Sequence, residues 1–404
     1  MAYVYLSTVS RPGLTKGVVG GNVLALGTVS LITDVSSEMI TAVLPIYLVV
    51  GLHLSPLAFG VLDGVYTGAT AVVRVAGGYV ADRVRGRKLV AGLGYGLSAV
   101  MKLGLLLAGR SVGALGVVIA ADRLGKGLRT APRDALISLS VPPDQLGRAF
   151  GVHRMMDGAG AFLGPLVALG VLFAAGGEAY DAVFVASFCV AALGVVVLVL
   201  FVREHPAPVA PVVAAPRTRP RISKSILGAA CLLGLATIGD GFVYLLLQRG
   251  EDLDVRWFPL LAVGTSLTYL LLAAPLGRLA DRVGRLPVVA GGYLALAATY
   301  LLLAGPGGGW QRVVLVLGCY GLFYAATDGV LMALVAPTLP ERLRTTGLAL
   351  VQTGQALAYL VSSVLFGAAW QLWGPDAAIR SAAALAVVAV IATVFLLRVR
   401  KEAR

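Results

Sequence analysis

Apolar residues run through this chain in long blocks, and the polar ones gather in short breaks between them. Most blocks reach about 20 residues, the length an α-helix needs to cross the hydrocarbon of a bilayer. The pattern predicts twelve helical spans, near 21–50, 57–80, 88–109, 113–140, 148–174, 181–202, 225–248, 257–280, 287–305, 312–336, 345–370 and 376–398. It divides the chain into an N-terminal six-helix bundle, 1–202, a linker rich in Pro, Val, Ala and then Arg, 203–224, and a C-terminal six-helix bundle, 225–404. The run after Arg11 and Lys16 is too long for a signal peptide and reads as the first span.

One break recurs. Gly78-Tyr79-Val80-Ala81-Asp82-Arg83-Val84-Arg85-Gly86-Arg87-Lys88 follows span 2, and Gly277-Arg278-Leu279-Ala280-Asp281-Arg282-Val283-Gly284-Arg285 follows span 8. Each is Gly, three residues, Asp-Arg and a basic turn with Gly; the first copy has one extra residue, Arg85. The same charged turn at the same place in two halves is the mark of a duplicated membrane bundle.

Composition makes the membrane reading firm. The 404 residues are 58% hydrophobic and 13% charged, with mean hydropathy +0.88. Soluble proteins carry about 25% charged residues, so this chain cannot cover a water-facing surface. The net charge of +13 is not a nucleic-acid signature, because Lys and Arg cluster in alternate loops. Arg83, Arg85, Arg87 and Lys88, then Arg203 to Lys224, Arg278 to Arg285, and Arg398 to Arg404 lie on one side. The other loops hold only Arg110, Arg249, Arg256, Arg312 and Arg380. The positive-inside bias places both termini in the cytoplasm of a multi-pass protein of the cell (plasma or inner) membrane. Cys189, Cys231 and Cys319 lie inside apolar spans without metal-ligand spacing and read as core residues.

Charges inside spans are costly in lipid and therefore informative. Span 1 carries Asp34 and Glu38, four apart on one face; each is a candidate proton or substrate group, or a fixed partner of a base. Span 4 carries Asp122, Arg123, Lys126, Arg129 and Arg133. Asp122, Lys126, Arg129 and Arg133 form a stripe that must face a cavity or another charged helix. Such bases suit an anionic substrate, or they neutralise Asp34, Glu38, Asp63, Asp122, Asp134 and Asp157. Lys102 in span 3 is a partner for Asp63 or Asp122, and Asp157 in span 5 for a span 4 base. Asp240 in span 7 and Asp328 in span 10 are the counterparts of these groups in the second half. Gln352, Gln355 and Tyr359 in span 11, with Tyr320 and Tyr324 in span 10, offer polar contacts or ordinary packing. His153, Met155 and Met156 offer soft ligands for a metal but read as packing, and Gly305-Pro306-Gly307-Gly308-Gly309 lacks the Lys-Ser/Thr of a nucleotide loop. No nucleophile constellation or cofactor loop is present, which excludes an enzyme reading; no cofactor and no metal are expected.

The repeated motif closely resembles the signature loop between helices 2 and 3 of the major facilitator superfamily, and its echo between helices 8 and 9. Span 4 resembles that family's helix 4 motif: Arg123 matches the Arg, Gly127 the Gly, and Lys126 stands where Gln is common. Span 5, with Gly151, Gly160 and Gly164-Pro165, is similar to the antiporter motif of its exporters, with Ala168-Leu169 replacing the closing Gly pair. The resemblance implies an all-α membrane protein of twelve helices in two pseudo-symmetric six-helix bundles, drug- or metabolite-efflux-like, whose cavity is lined by helices 1, 4, 7 and 10. It implies a conformational latch at Gly78, Asp82, Arg83, Gly277, Asp281 and Arg282, in which the loop Asp meets the positive end of helix 11. The expected activity is proton-coupled export, an antiport of a small organic molecule by a monomer, with Asp34, Glu38, Asp122, Arg123, Lys126, Arg129, Asp240 and Asp328 in the cavity. Uptake or exchange of an anionic metabolite, and a membrane sensor that binds without turnover, stand as alternatives. The expected partners are the substrate, protons and the lipid bilayer, with no nucleic acid.

Overall fold

A computed structural model describes residues 20–83, 86–142, 145–204, 224–336 and 344–402. The described residues are helical almost throughout. Span 1 is α1 (Gly21–Ile46) with a π-helical end, Tyr47–Gly51; spans 2 to 6 are α2 (Pro56–Arg83), α3 (Arg87–Ala108), α4 (Val112–Leu139), α5 (Leu146–Ala175) and α6 (Tyr180–Phe201). Span 7 is broken into α7 (Lys224–Leu235) and α8 (Asp240–Gly250). Spans 8 and 9 are α9 (Phe258–Val283) and α10 (Arg285–Ala304). Span 10 is also broken, into α11 (Gly309–Thr327) and α12 (Val330–Val335), and spans 11 and 12 are α13 (Arg344–Trp373) and α14 (Pro375–Glu402). Ten of these spans are long and apolar enough to cross a membrane; α2 and α4 are long enough but lie outside that set. In α4 the reason is plain, since it carries Asp122, Arg123, Lys126, Arg129, Arg133 and Asp134.

Most contacts fall within a half, while α13 lies along α2 and joins the two. α1 packs on α5 and α6, and α3 on α4 and α6; α10 packs on α11 and α14, and α13 on α7 and α14. Small residues permit the closest crossings. Gly94 and Gly125 face one another where α3 crosses α4, and a Cβ on Gly94 would sit 2.7 Å from the Gly125 carbonyl oxygen. Apolar side chains such as Leu107 (89% exposed) and Leu372 (75%) point outward, as lipid-facing positions must. Cys189 is exposed on this surface rather than in the core, because uniform apolarity along α6 does not reveal which face meets lipid.

The second copy of the repeated motif turns through Gly284, whose φ of 97° is a conformation that side-chain-bearing residues avoid. The first copy does not use its glycine this way: Gly86 has φ −96°, and the inserted Arg85 lies outside the described residues. The backbone of Gly78, Asp82 and Arg83 forms the last turns of α2; their side-chain contacts, and Arg74, lie outside the described residues, as does most of the linker.

One loop at the end remote from the termini is pinned by charge. Glu251 accepts hydrogen bonds from the amides of Gly308 (3.2 Å) and Gly309 (2.6 Å) and pairs with Arg312 at 2.9 Å. Arg312 also donates to the Leu302 and Leu303 carbonyls, at 2.9 and 2.7 Å. Burial pushes the Glu251 carboxyl up, but the two amides and the guanidinium outweigh that and hold it below the ordinary glutamate value. A carboxyl depressed in the fold stabilises it above the unfolded value, about 4.3, and loses that contribution as pH falls through the folded value. Thermal unfolding in detergent between neutral pH and about pH 3 checks this: the wild type should lose a stability increment on acidification that Glu251→Gln lacks at every pH.

Candidate functional site

The charged stripe of α4 is not exposed to lipid; it is neutralised across helix contacts. Asp122 accepts from Ser98 Oγ at 2.6 Å and pairs with Lys102 of α3 at 3.5 Å and with Arg123 beside it. Arg123 is buried and places its guanidinium 4.1 Å from the Tyr66 ring centre, a cation–π contact. Tyr66 in turn shares a 2.8 Å hydrogen bond with Thr41 of α1. One turn along, Arg129 donates to Asp34 Oδ1 at 3.2 Å and lies over Tyr95 at 4.5 Å. Arg133 donates to Ser30 Oγ (3.0 Å) and to Asp134 (3.0 Å), and stands 3.8 Å from Asp157. Four helices, α1, α2, α3 and α5, thus bring polar groups onto α4. Lys102 finds Asp122 and not Asp63.

Glu38 and Lys126 behave differently. Neither makes an ion pair within 4 Å among the described residues. Asp34 and Glu38 lie one turn apart on α1. Their backbone is positioned by α5: a Cβ on Gly160 would meet Leu31, and one on Gly164 would lie 2.6 Å from Glu38 Cβ and 2.7 Å from the Val35 carbonyl oxygen. Gly151 plays no part in this crossing, since a Cβ there meets nothing within 4 Å. Pro165 is buried within α5.

Asp240 and Asp328 both sit at helix breaks, which the apolar pattern alone did not reveal. Asp240 opens α8, where Tyr320 and Tyr324 donate to its Oδ1. The backbone between α7 and α8 is satisfied by neighbours: Tyr300 accepts from the Ile238 amide at 3.0 Å and donates to the Ala236 carbonyl at 3.2 Å, and Ser362 donates to the Leu235 carbonyl at 2.8 Å. Such rescue is what permits broken helices at membrane depth. Asp328 ends α11, followed by Gly329 at φ 76°, and accepts from Tyr269 at 3.0 Å.

A cavity of about 460 Å³ lies between these breaks. Thr237, Tyr293, Tyr324, Asp328, Gln355 and Tyr359 are among its walls, and Thr67 of α2 joins it from the first half. Of the candidate acids only Asp328 is among its lining residues; Asp34, Glu38 and the α4 stripe are not.

Asp63 is the residue that sequence reasoning undervalued. It accepts from Ser363 Oγ of α13 at 2.6 Å and presses against Gly239, the residue that caps α8. Nearby, Gly60 and Gly64 pack on Ser363 and Leu360, Gly367 on Pro56 and Leu57, and the Phe59 and Phe242 rings meet at 4.7 Å. Phe173 and Trp257 meet at 5.1 Å where α5 approaches α9. All these contacts join the halves toward the end remote from the termini. The signal available in the sequence was an acid in span 2 with no base at helical spacing beside it. In the second repeat, Asp281 and Arg282 are exposed near the end of α9, and Gly277 meets nothing within 4 Å.

Two bundles of six spans, with spans 7 and 10 of the second bundle broken and a polar cavity at the breaks, have the architecture of a secondary transporter. The sequence model described as Major Facilitator Superfamily matches residues 26–264 and 251–404, and the chain belongs to that family. It is 30% identical over 392 residues to an uncharacterized MFS-type transporter of Methanocaldococcus jannaschii, covering 93% of this chain and 94% of that one. It is 35% identical over 173 residues to an uncharacterized protein of Mycobacterium tuberculosis, 42% of each chain. Among solved structures, a POT family transporter in complex with 5-aminolevulinic acid matches with TM-score 0.77 at 13% identity, covering 95% of this chain and 96% of that one. The nucleoside transporter NupG matches with TM-score 0.74 at 14% identity, covering 93% and 98%. At these identities the likeness is one of fold.

The buried Asp34–Arg129 pair yields a direct test. Arg129→Met leaves a buried carboxylate uncompensated, which costs about 3–5 kcal/mol when one partner of such a pair is removed. Thermal unfolding in detergent should show Arg129→Met well below wild type, and Arg129→Met with Asp34→Asn recovering more than half of the loss. An uncoupled, additive double mutant would show that the pair does not carry this part of the bundle.

Proposed function

We propose that this protein exports a small organic molecule in exchange for protons, by alternating access between residues 1–202 and 225–404 joined by the 203–224 linker. It would do so in the cell membrane as a monomer, with both termini cytoplasmic as the distribution of Lys and Arg implies. The observation that carries the reading is the contrast along α1: Asp34 is engaged by Arg129, while Glu38, one turn away, makes no ion pair among the described residues. A carboxyl so placed can exchange a partner for a proton without leaving a buried charge uncompensated. Proton binding on α1 alters how α1 meets α4 and α5, and α1 also touches α8 and α9 of the other half. Protonation thus biases which arrangement of bundles is favoured. Substrate occupies the cavity at the α7–α8 and α11–α12 breaks, and the Asp63–Ser363 contacts close the remote end while it is loaded or released from the other. The repeated loops act as the latch on the terminal side, through Asp82 and Asp281.

A second reading, exchange of an anionic metabolite, draws support from Lys126, the base of the α4 stripe that forms no ion pair among the described residues. Against it, Arg123 and Arg129 are already committed to Asp122 and Asp34. Proteoliposomes with an imposed pH gradient separate the readings. Substrate-triggered dissipation of the gradient in the wild type, at least about tenfold slower in Asp34→Asn and in Glu38→Gln, is the expected result, since a coupling carboxyl contributes a step that its neutral form cannot perform. Radiolabelled anion exchange without proton movement would favour the second reading. Saturable binding with no flux of any compound would point to a sensor.

A further inference from the structure

The cavity at the helix breaks has a definite electrostatic character. α7 ends at Leu235 and α11 at Thr327, and Gly234, Thr237, Thr327 and Asp328 all belong to its walls. A helix C-terminus carries about half a negative charge within its last turn. The C-terminal ends of α7 and α11 meet at this pocket, but Gly329 and Leu331 at the N-terminal end of α12 line it too, so the charge of its wall comes from Asp328. Asp328 is exposed, and its hydrogen-bond partner among the described residues is the Tyr269 hydroxyl, a neutral donor at 3.0 Å. No Lys, Arg or His belongs to the described wall. A basic neighbour, Arg285, is committed to the Ala333 carbonyl at 2.6 Å. Arg123, Arg129 and Arg133 of α4 are held by Asp122, Asp34 and Asp134, and Lys126 is not among the lining residues.

The rest of the wall is suited to a flat apolar body. Tyr293, Phe323 and Tyr324 form one aromatic group, with Tyr293 and Phe323 rings 5.1 Å apart and Phe323 and Tyr324 rings 5.0 Å apart. Tyr359 adds a fourth ring to the lining, and Gln352 and Gln355 supply uncharged amides. Ring faces attract cations, and a volume of about 460 Å³ is in the range of pockets for small organic ligands.

We propose that this pocket takes an organic cation, a protonated amine on an apolar or aromatic body. The charge lies against Asp328 and the end of α11, and the body lies on the Tyr293, Phe323 and Tyr324 rings. This deepens the export reading above and rests on it only in treating the pocket as the substrate site.

The test uses the full-length protein in nanodiscs and three probes of similar size: 2-phenylethylammonium, 3-phenyl-1-propanol and 3-phenylpropionate. Equilibrium dialysis against each is compared for wild type, Asp328→Asn and Gln355→Ala. The wild type should bind the ammonium tightest and the carboxylate weakest. Asp328→Asn should weaken the ammonium by about tenfold, the effect of losing one charge-assisted contact, and change the alcohol by less than about twofold. Gln355→Ala should weaken ammonium and alcohol alike. The proposal is overturned if the ammonium shows no saturable binding, if the carboxylate binds as well as the ammonium, or if Asp328→Asn leaves the ammonium-to-alcohol ratio unchanged. If Asp328→Asn fails to fold, the wild-type order of the three probes decides alone. Cation-selective binding without movement of the ammonium across proteoliposomes would sink the export reading and leave the pocket's selectivity standing. Movement of a different, anionic compound with no ammonium binding would do the reverse.

Discussion

Nothing charged can be left alone in hydrocarbon, and most of this structure follows from how that constraint is met. In the first half, six acids and a similar number of bases lie within spans. Four of the acids, Asp34, Asp122, Asp134 and Asp157, are paired along α4, where Asp122 gathers Ser98, Lys102 and Arg123, and Arg129 reaches Asp34. Tyrosine rings complete the arrangement, Tyr66 under Arg123 and Tyr95 under Arg129. Two groups of the central set, Glu38 and Lys126, make no ion pair among the described residues.

The second half meets a related constraint by another route. It has few internal charges but two interrupted helices, and its difficulty is unpaired backbone rather than unpaired side chains. Tyr300 and Ser362 satisfy peptides at the α7–α8 break, and Gly329 supplies the conformation that lets α11 stop at Asp328. The halves are thus alike in path and different in chemistry. One holds titratable pairs inside its own packing, and the other opens a pocket where its helices stop. Asp63, reaching from α2 to Ser363 beside the start of α8, connects the two.

Much of this was legible in the sequence, for identifiable reasons. Span limits were readable to within a few residues because a block of apolar residues has nowhere to go but lipid or core. The pairing of Lys102 with Asp122 was one of two alternatives, and only three-dimensional packing chooses between them. The breaks were hidden because Gly239-Asp240-Gly241 and Asp328-Gly329 sit in runs whose mean apolarity continues across them. Glycine beside an acid was their only mark. Asp63 was read as a residue in search of a base, whereas its partners are a hydroxyl and a helix cap from the other half, which no local pattern encodes. The orientation of Gly151, and of Cys189 toward lipid, depends on which face of a helix meets a neighbour, and uniformly apolar helices do not show that.

The central claim is that protonation of the α1 acids sets how the two bundles stand relative to one another. The most direct measurement is the distance between spin labels placed at Gly113→Cys and Gln311→Cys, exposed positions at the remote ends of α4 and α11. Pulsed electron resonance in nanodiscs across pH 5 to 9 would follow it, with Asp34→Asn/Glu38→Gln as the comparison. The account predicts two distance populations whose ratio shifts with pH in the wild type and is independent of pH in the double variant. A ratio that does not change with pH in the wild type, or one that shifts identically in the double variant, would contradict it.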